Sequence, residues 1–247
     1  MILALAVLTL MQNQWPPNSL DRPKPPVVTP APEQPPVPPP ADAIVLFDGK
    51  NISEWQTADS PGTAATWLVK DGYMEVVKGA GNIMTRRGFG SVQLHIEWRA
   101  PLPADGEGQD RGNSGVFLMS HYEIQVLDSY QNETYADGQA SAIYGQTPPL
   151  VNASRPPGQW QTYDIVFHRP IFAADGSVTQ PARVTVFHNG ILVHDNDTIT
   201  GWTVHNAVAR YRPHADRLPL MLQDHAHPVR FRNVWVRRLT GYDQPEK

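Results

Sequence analysis

From Ala43 onward the chain sets apolar positions against polar ones in short runs rich in Val, Ile, Phe, Trp and Tyr, broken by Gly, Pro, Asn and Asp. No stretch sustains the period of an amphipathic helix, so the pattern is that of an all-β protein. It predicts strands at residues 44–47, 66–69, 73–77, 82–85, 92–99, 115–118, 122–127, 161–168, 182–188, 191–194, 218–223 and 229–238. The sharpest local signal is "VTVFHNGILVHD", where Asn189 and Gly190 supply the two positive-φ residues of a type I′ turn and predict a hairpin. So many short strands without crossover helices predict a two-sheet antiparallel sandwich of the jelly-roll kind. The longest predicted loop, residues 128–159, is rich in Gly, Pro and Asn yet contains "SAIYG", which predicts a strand or single turn within it.

Three predicted strands carry polar side chains at alternate positions: Gln93, His95, Glu97 and Arg99; Glu123 and Gln125; Gln223 and His225. A single such row is the wet face of an antiparallel sheet. Three rows with few lysines and many directional hydrogen-bonding groups suit a groove for a saccharide, whose hydroxyls need paired donors and acceptors. In "YEIQVLDS", Glu123 and Gln125 share a face and Asp128 falls on the other. A one-residue bulge between Val126 and Asp128 would bring Asp128 round to Glu123.

Composition narrows the function classes. The chain has 247 residues, and a net charge of −4 without a Lys/Arg run gives no footprint for nucleic acid or an anionic membrane. The absence of cysteine excludes disulfides, thiolate metal sites and a Cys nucleophile. Residues 1–15 include the apolar run "ILALAVLTLM", which has the length of a signal-peptide core and is too short to span a bilayer. The expectation is an exported protein, periplasmic or extracellular, with no membrane insertion beyond an N-terminal anchor. In the segment 16–42, twelve of the twenty-five residues from Pro16 to Pro40 are proline, which predicts a disordered, extended linker. Residues 43–240 then form the catalytic or sugar-binding domain, and 241–247 a tail.

Two segments concentrate chemistry. "GQDRGNSGVFL" places Asp110, Arg111, Asn113 and Ser114 between glycines, either as a ligand-facing turn with Arg111 as a fork for an oxyanion or as a structural turn held by an Asp–Arg pair. "LMLQDHAHPVRFRNVWVRRL" gathers Gln223, Asp224, His225 and His227 at a turn, where a His beside an Asp suits a general base or metal ligand. The spacing of His225 and His227 matches no specific metal motif, so a divalent metal is an open alternative and no cofactor is assigned. A G-x-S-x-G elbow is missing. Glu123, Gln125 and Asp128 look like a degraded form of the bulged acid motif of laminarinase-type jelly rolls, with Gln in the middle and Asp for the final Glu. That departure puts ordinary two-carboxylate glycoside cleavage in doubt.

The ordered segments "LFDGKNISEW", "GNSGVFL", "YEIQVLDS", "IYG", "GQWQTYDIVF", "VTVFHNGILVHD" and "LPLMLQDHAHPVRFRNVWVRRL" resemble the 3-keto-disaccharide hydrolase domain, formerly a domain of unknown function, from about Ala43 to Leu239. The resemblance implies a concanavalin A-like jelly roll acting on glycosides oxidised to a ketone at carbon 3 of glucose. Such a ketone acidifies the hydrogen at carbon 2. A base can then remove it, the glycosidic oxygen leaves carbon 1, and water adds to complete hydrolysis. On that reading Glu123 is the base, His225 its acid/base partner and Arg111 the clamp on the carbonyl oxygen, while Glu97, Asn113, Gln125, Asp128, Tyr144 and Gln223 bind the substrate. The competing class is a carbohydrate-binding module using Trp55, Trp67, Trp98, Trp160 and Trp202 as stacking platforms. A third is a scaffold domain on a proline-rich stalk.

Overall fold

The computed structural model describes residues 15–240; the apolar run at 2–11 and the tail 241–247 lie outside them. The strands are β1 Ile44–Phe47, β2 Trp55–Thr57, β3 Leu68–Lys70, β4 Tyr73–Glu75, β5 Ile83–Phe89, β6 Val92–Arg99, β7 Ser114–Leu118, β8 Tyr122–Val126, β9 Gln161–His168, β10 Ile171–Phe172, β11 Val178–Gln180, β12 Arg183–His188, β13 Ile191–Thr198, β14 Leu218–Leu222 and β15 Arg230–Arg238. All twelve predicted strands are present. The three that periodicity missed, β2, β10 and β11, are two or three residues long, too short to alternate visibly. No helix among the described residues is long and apolar enough to cross a membrane.

Two antiparallel sheets make the sandwich. An eight-stranded sheet runs β13-β12-β9-β6-β15-β4-β3 with β1 also paired to β15, and a five-stranded sheet runs β2-β5-β14-β7-β8. Leu94, Ile96, Trp98, Tyr163, Ile165 and Phe167 from the first sheet and Val116, Leu118, Tyr122, Ile124 and Leu222 from the second belong to one buried core. Each contributes roughly 1.5–3 kcal/mol by leaving water. The hairpin β12–β13 turns as expected: Asn189 and Gly190 have φ of 53° and 80°. The Asn189 side chain is itself a brace, accepting from Thr162 N–H and Arg155 Nη1 and donating to Ala153 O and Gln161 Oε1.

The Pro-rich segment departs from expectation. It is extended, as polyproline chemistry requires, but it lies along the domain as a strap. Val27 bridges Asn152, Arg155 donates to Ala31 O, Glu33 accepts from Trp160 N–H at 3.0 Å, and Asn233 Nδ2 donates to Val37 O. Proline removes donors from a chain but leaves its carbonyls, and here the domain supplies the donors. Glu33→Ala is therefore expected to cost about 1 kcal/mol in urea unfolding by orphaning the Trp160 amide. A free spacer would show no change in stability.

Candidate functional site

The outer face of the five-stranded sheet is built by alternation. In the uninterrupted β7–β8 ladder, Phe117 lies opposite Glu123 and Gly115 opposite Gln125. On the other side of β7, Met221 lies opposite Phe117, and Gln223 N–H donates to Gly115 O, which carries the ladder one step past β14. Facing residues share a side of the sheet, so Phe117, Glu123, Gln125 and Gln223 point away from the core together. Three loops raise walls around them. The loop after β8 returns alongside that strand through an Ile124–Ile143 bridge, makes a single 3-10 turn at Ala136–Gly138, and presents Tyr135 and Tyr144. The loop after β13 adds Thr203 and His205, and the β14–β15 turn adds His225.

The result is a pocket of about 370 Å³, lined by Gln109, Asn113, Phe117, Glu123, Gln125, Tyr135, Tyr144, Thr203, His205, Gln223 and His225. Glu123 is the only carboxylate among the described residues that line it and is 4% exposed. Among the described residues none donates a hydrogen bond to that carboxylate or pairs with it, and burial pushes its pKa up to about 8. Thr203 Oγ1 accepts from the Glu123 backbone N–H at 2.9 Å, tying the β13 loop to β8. Gly115 makes room for the acid: a Cβ there would sit 2.4 Å from Glu123 Oε1. Gln109 organises the opposite wall, accepting from Gln125 Nε2 and from Asn113 Nδ2 and donating to Thr134 Oγ1 and Gly138 O. Gln125 Oε1 is buried without a partner among the described residues, an acceptor left for a ligand hydroxyl.

Of the residues singled out in the sequence, Glu123, Asn113, Gln125, Tyr144, Gln223 and His225 meet in this pocket. Three do not. Glu97 lies on β6 in the eight-stranded sheet, where it accepts from Arg232 and Asn233. Burial alone would raise its pKa, but hydrogen bonds from His95, Asn233 and Arg232 outweigh it and lower it. The β7–β8 register ends at Val126 and Asp128 lies beyond it, where it takes Arg111 Nε at 2.8 Å and does not join Glu123 in the pocket lining. Arg111 also donates to Tyr130 O and Gln131 O and is absent from the pocket lining, so it braces a turn, through Asp128 and not Asp110, and is not placed as a clamp. A buried carboxylate and a partly buried guanidinium within reach satisfy each other before they serve a ligand.

The turn chemistry also differs from expectation. The Asp224 carboxylate accepts from the Gly81 and Ala226 amides and so fixes the turn; it does not orient His225. The exposed His225 ring stacks on His227 at 5.9 Å, and His227 Nε2 contacts Asp110. Among the described residues no cluster of three or more His, Cys, Asp or Glu could hold a metal. Trp55, Trp67, Trp98 and Trp160 are buried, Trp202 stacks on His121 at 3.6 Å, and the aromatic groups at the pocket are Phe117, Tyr135 and Tyr144. Gln109, Phe117, Tyr135, Thr203 and His205 were missed. Phe117 was legible, since it alternates with Gly115 on a predicted strand, whereas the other four come from loops, where no period reports direction.

A family model described as "3-keto-alpha-glucoside-1,2-lyase-like domain" matches residues 42–237. No curated protein matches the chain. A crystal structure from Parabacteroides distasonis ATCC 8503, provisionally described as a glycosyl hydrolase, is 42% identical with a TM-score of 0.80, covering 97% of this chain and all 100% of that one. Two further structures from the same organism carry the same provisional description. One is 20% identical with a TM-score of 0.58, covering 81% of this chain and 94% of its own. The other is 21% identical with a TM-score of 0.53, covering 80% and 99%. These last two share the fold alone.

Proposed function

Because the chain belongs to the 3-keto-alpha-glucoside-1,2-lyase-like domain family, we propose that it cleaves glycosides whose glucose unit carries a ketone at carbon 3, with Glu123 as the base. The family and the similar solved structures support the coarser statement, a carbohydrate-active, hydrolase-like role. One observation favours the finer one: the described residues give the pocket a single carboxylate, and that carboxylate is buried, with its pKa pushed up to about 8.

Ordinary glycosidases place two carboxyl groups across the scissile bond. With Asp128 committed to Arg111, the second is lacking here. An elimination needs only one. Glu123 takes the hydrogen from carbon 2, and the electron pair forms an enolate toward the ketone oxygen. The enolate then collapses to a double bond between carbons 1 and 2 as the glycosidic oxygen leaves carbon 1. Addition of water to carbon 1, with return of the proton to carbon 2, completes a hydrolysis. A carboxylate whose pKa lies near 8 holds a carbon-derived proton far better than one at the usual glutamate value. Gln125, Gln223 and Asn113 present the directional groups that ring hydroxyls require.

The pH profile tests the base. Only ionised Glu123 can accept the proton, so kcat/KM on a 3-keto-glucoside is expected to rise with pH and level off above about 8. A profile that is flat from acid to neutral pH would remove Glu123 from that role.

A further inference from the structure

Proton abstraction leaves one part of the pocket unused. Tyr144 Oη lies 2.6 Å from Tyr135 Oη and 2.8 Å from His205 Nδ1. His205 Nε2 in turn lies 2.8 Å from Asn206 Nδ2. An amide nitrogen only donates, so Nε2 is the acceptor there and the proton of a neutral His205 sits on Nδ1, aimed at Tyr144 Oη. With Tyr135 donating from the other side, Tyr144 Oη receives two hydrogen bonds, and its own proton is free to face the pocket. The loops that bring these groups together are cross-tied by Asn18 ahead of the strap, whose backbone N–H donates to Asp137 Oδ2 and whose Oδ1 accepts from the Asn206 backbone N–H.

We propose that Tyr144 is the general acid of the cleavage, giving its hydroxyl proton to the departing glycosidic oxygen while Tyr135 and His205 hold the phenolate it becomes. The inference rests on the elimination proposed above and assigns to Tyr144 the part that the sequence suggested for the exposed His225. The step balances. As carbon 1 releases the glycosidic oxygen with its bonding pair, that oxygen takes the Tyr144 proton and departs as an alcohol. When water attacks carbon 1, its surplus proton passes to the Tyr144 phenolate, and Glu123 returns the first proton to carbon 2. Both residues end as they began, and no oxidant or further reactant is involved.

The electrostatics of the site agree with this division of labour. Burial raises the pKa of both phenols, and their mutual hydrogen bond lowers that of Tyr144 while raising that of Tyr135, so Tyr144 is the one that yields its proton. The negative charge of Glu123 opposes that loss. When Glu123 takes the substrate proton that charge passes to the enolate and then to the departing glycosidic oxygen, the atom that receives the Tyr144 proton.

The test compares two 3-keto-glucosides with wild-type protein and Tyr144→Phe. One releases 4-nitrophenol, whose anion departs without a proton, and the other releases an unactivated alcohol. Tyr144→Phe is expected to lower kcat/KM about 100-fold or more for the alcohol and less than about 10-fold for the nitrophenyl substrate. His205→Ala should show the same leaving-group dependence at smaller size. Equal losses on both substrates, or no loss on either, would overturn the assignment while leaving the elimination intact. If wild-type protein turns over neither substrate, the elimination itself fails and the acid falls with it.

Discussion

Glu123→Gln is expected to lower kcat on a 3-keto-glucoside by about 10²–10⁴-fold, the range that a positioned general base supplies. The amide keeps the shape of the side chain and removes only its ability to take a proton. It should not cost stability. The folded-state pKa of Glu123 is raised to about 8 by burial, so the fold favours its protonated form. That preference contributes stability fully below the unfolded-state pKa and is lost as pH rises through about 8. The wild-type protein should therefore weaken toward alkaline pH by more than the variant, which carries no titrating group there. Urea unfolding at mildly acidic and mildly alkaline pH, alongside turnover, separates the two effects. A variant that loses activity and stability together at mildly acidic pH would mean the side chain holds the fold and not the reaction.

The stretch that reads most plainly in the sequence is the one where alternation and sheet membership agree. Glu123 and Gln125 on β8 and Gln223 just past β14 share a face of one sheet, and their common direction follows from strand phase alone. Glu97 shows where that logic stops. Its row alternates just as cleanly, but alternation fixes the face of a strand relative to its own sheet and carries no information about which sheet that is. The row of His95 and Glu97 lies on the eight-stranded sheet, where Arg232 and Asn233 from β15 and Asp164 from β9 satisfy it. Arg111 and Asp128 fail for a different reason. Seventeen positions apart in sequence, each is chemically suited to a sugar, and only the folded chain reveals that they are within 2.8 Å of each other. The strap is similar: composition excludes a core built from residues 16–42, yet says nothing about donors waiting on the domain surface, such as Arg155 and the Trp160 amide. Tyr135 and His205 belong to irregular loops, so their meeting at Tyr144 depends on contacts that no local pattern encodes.

Gly115→Ala is expected to lower kcat/KM on the order of 100-fold although the substitution adds one methyl group to a residue that does no chemistry. The added Cβ would lie 2.4 Å from Glu123 Oε1 and 2.7 Å from Phe117 Cε2. Both are atoms of side chains, and the carboxylate is the far end of a flexible one. It yields first, so the fold should survive at a cost of about 1–3 kcal/mol. Displacing a reacting group by about 1 Å can cost on the order of 10² in rate, which sets the expected loss. Because the effect travels through Glu123, it should disappear once the carboxylate has been removed: in a Glu123→Gln background, Gly115→Ala is expected to cause little further loss of turnover. Full additivity of the two substitutions, or wild-type kinetics in a folded Gly115→Ala protein, would mean that the space above Gly115 is not what places the base.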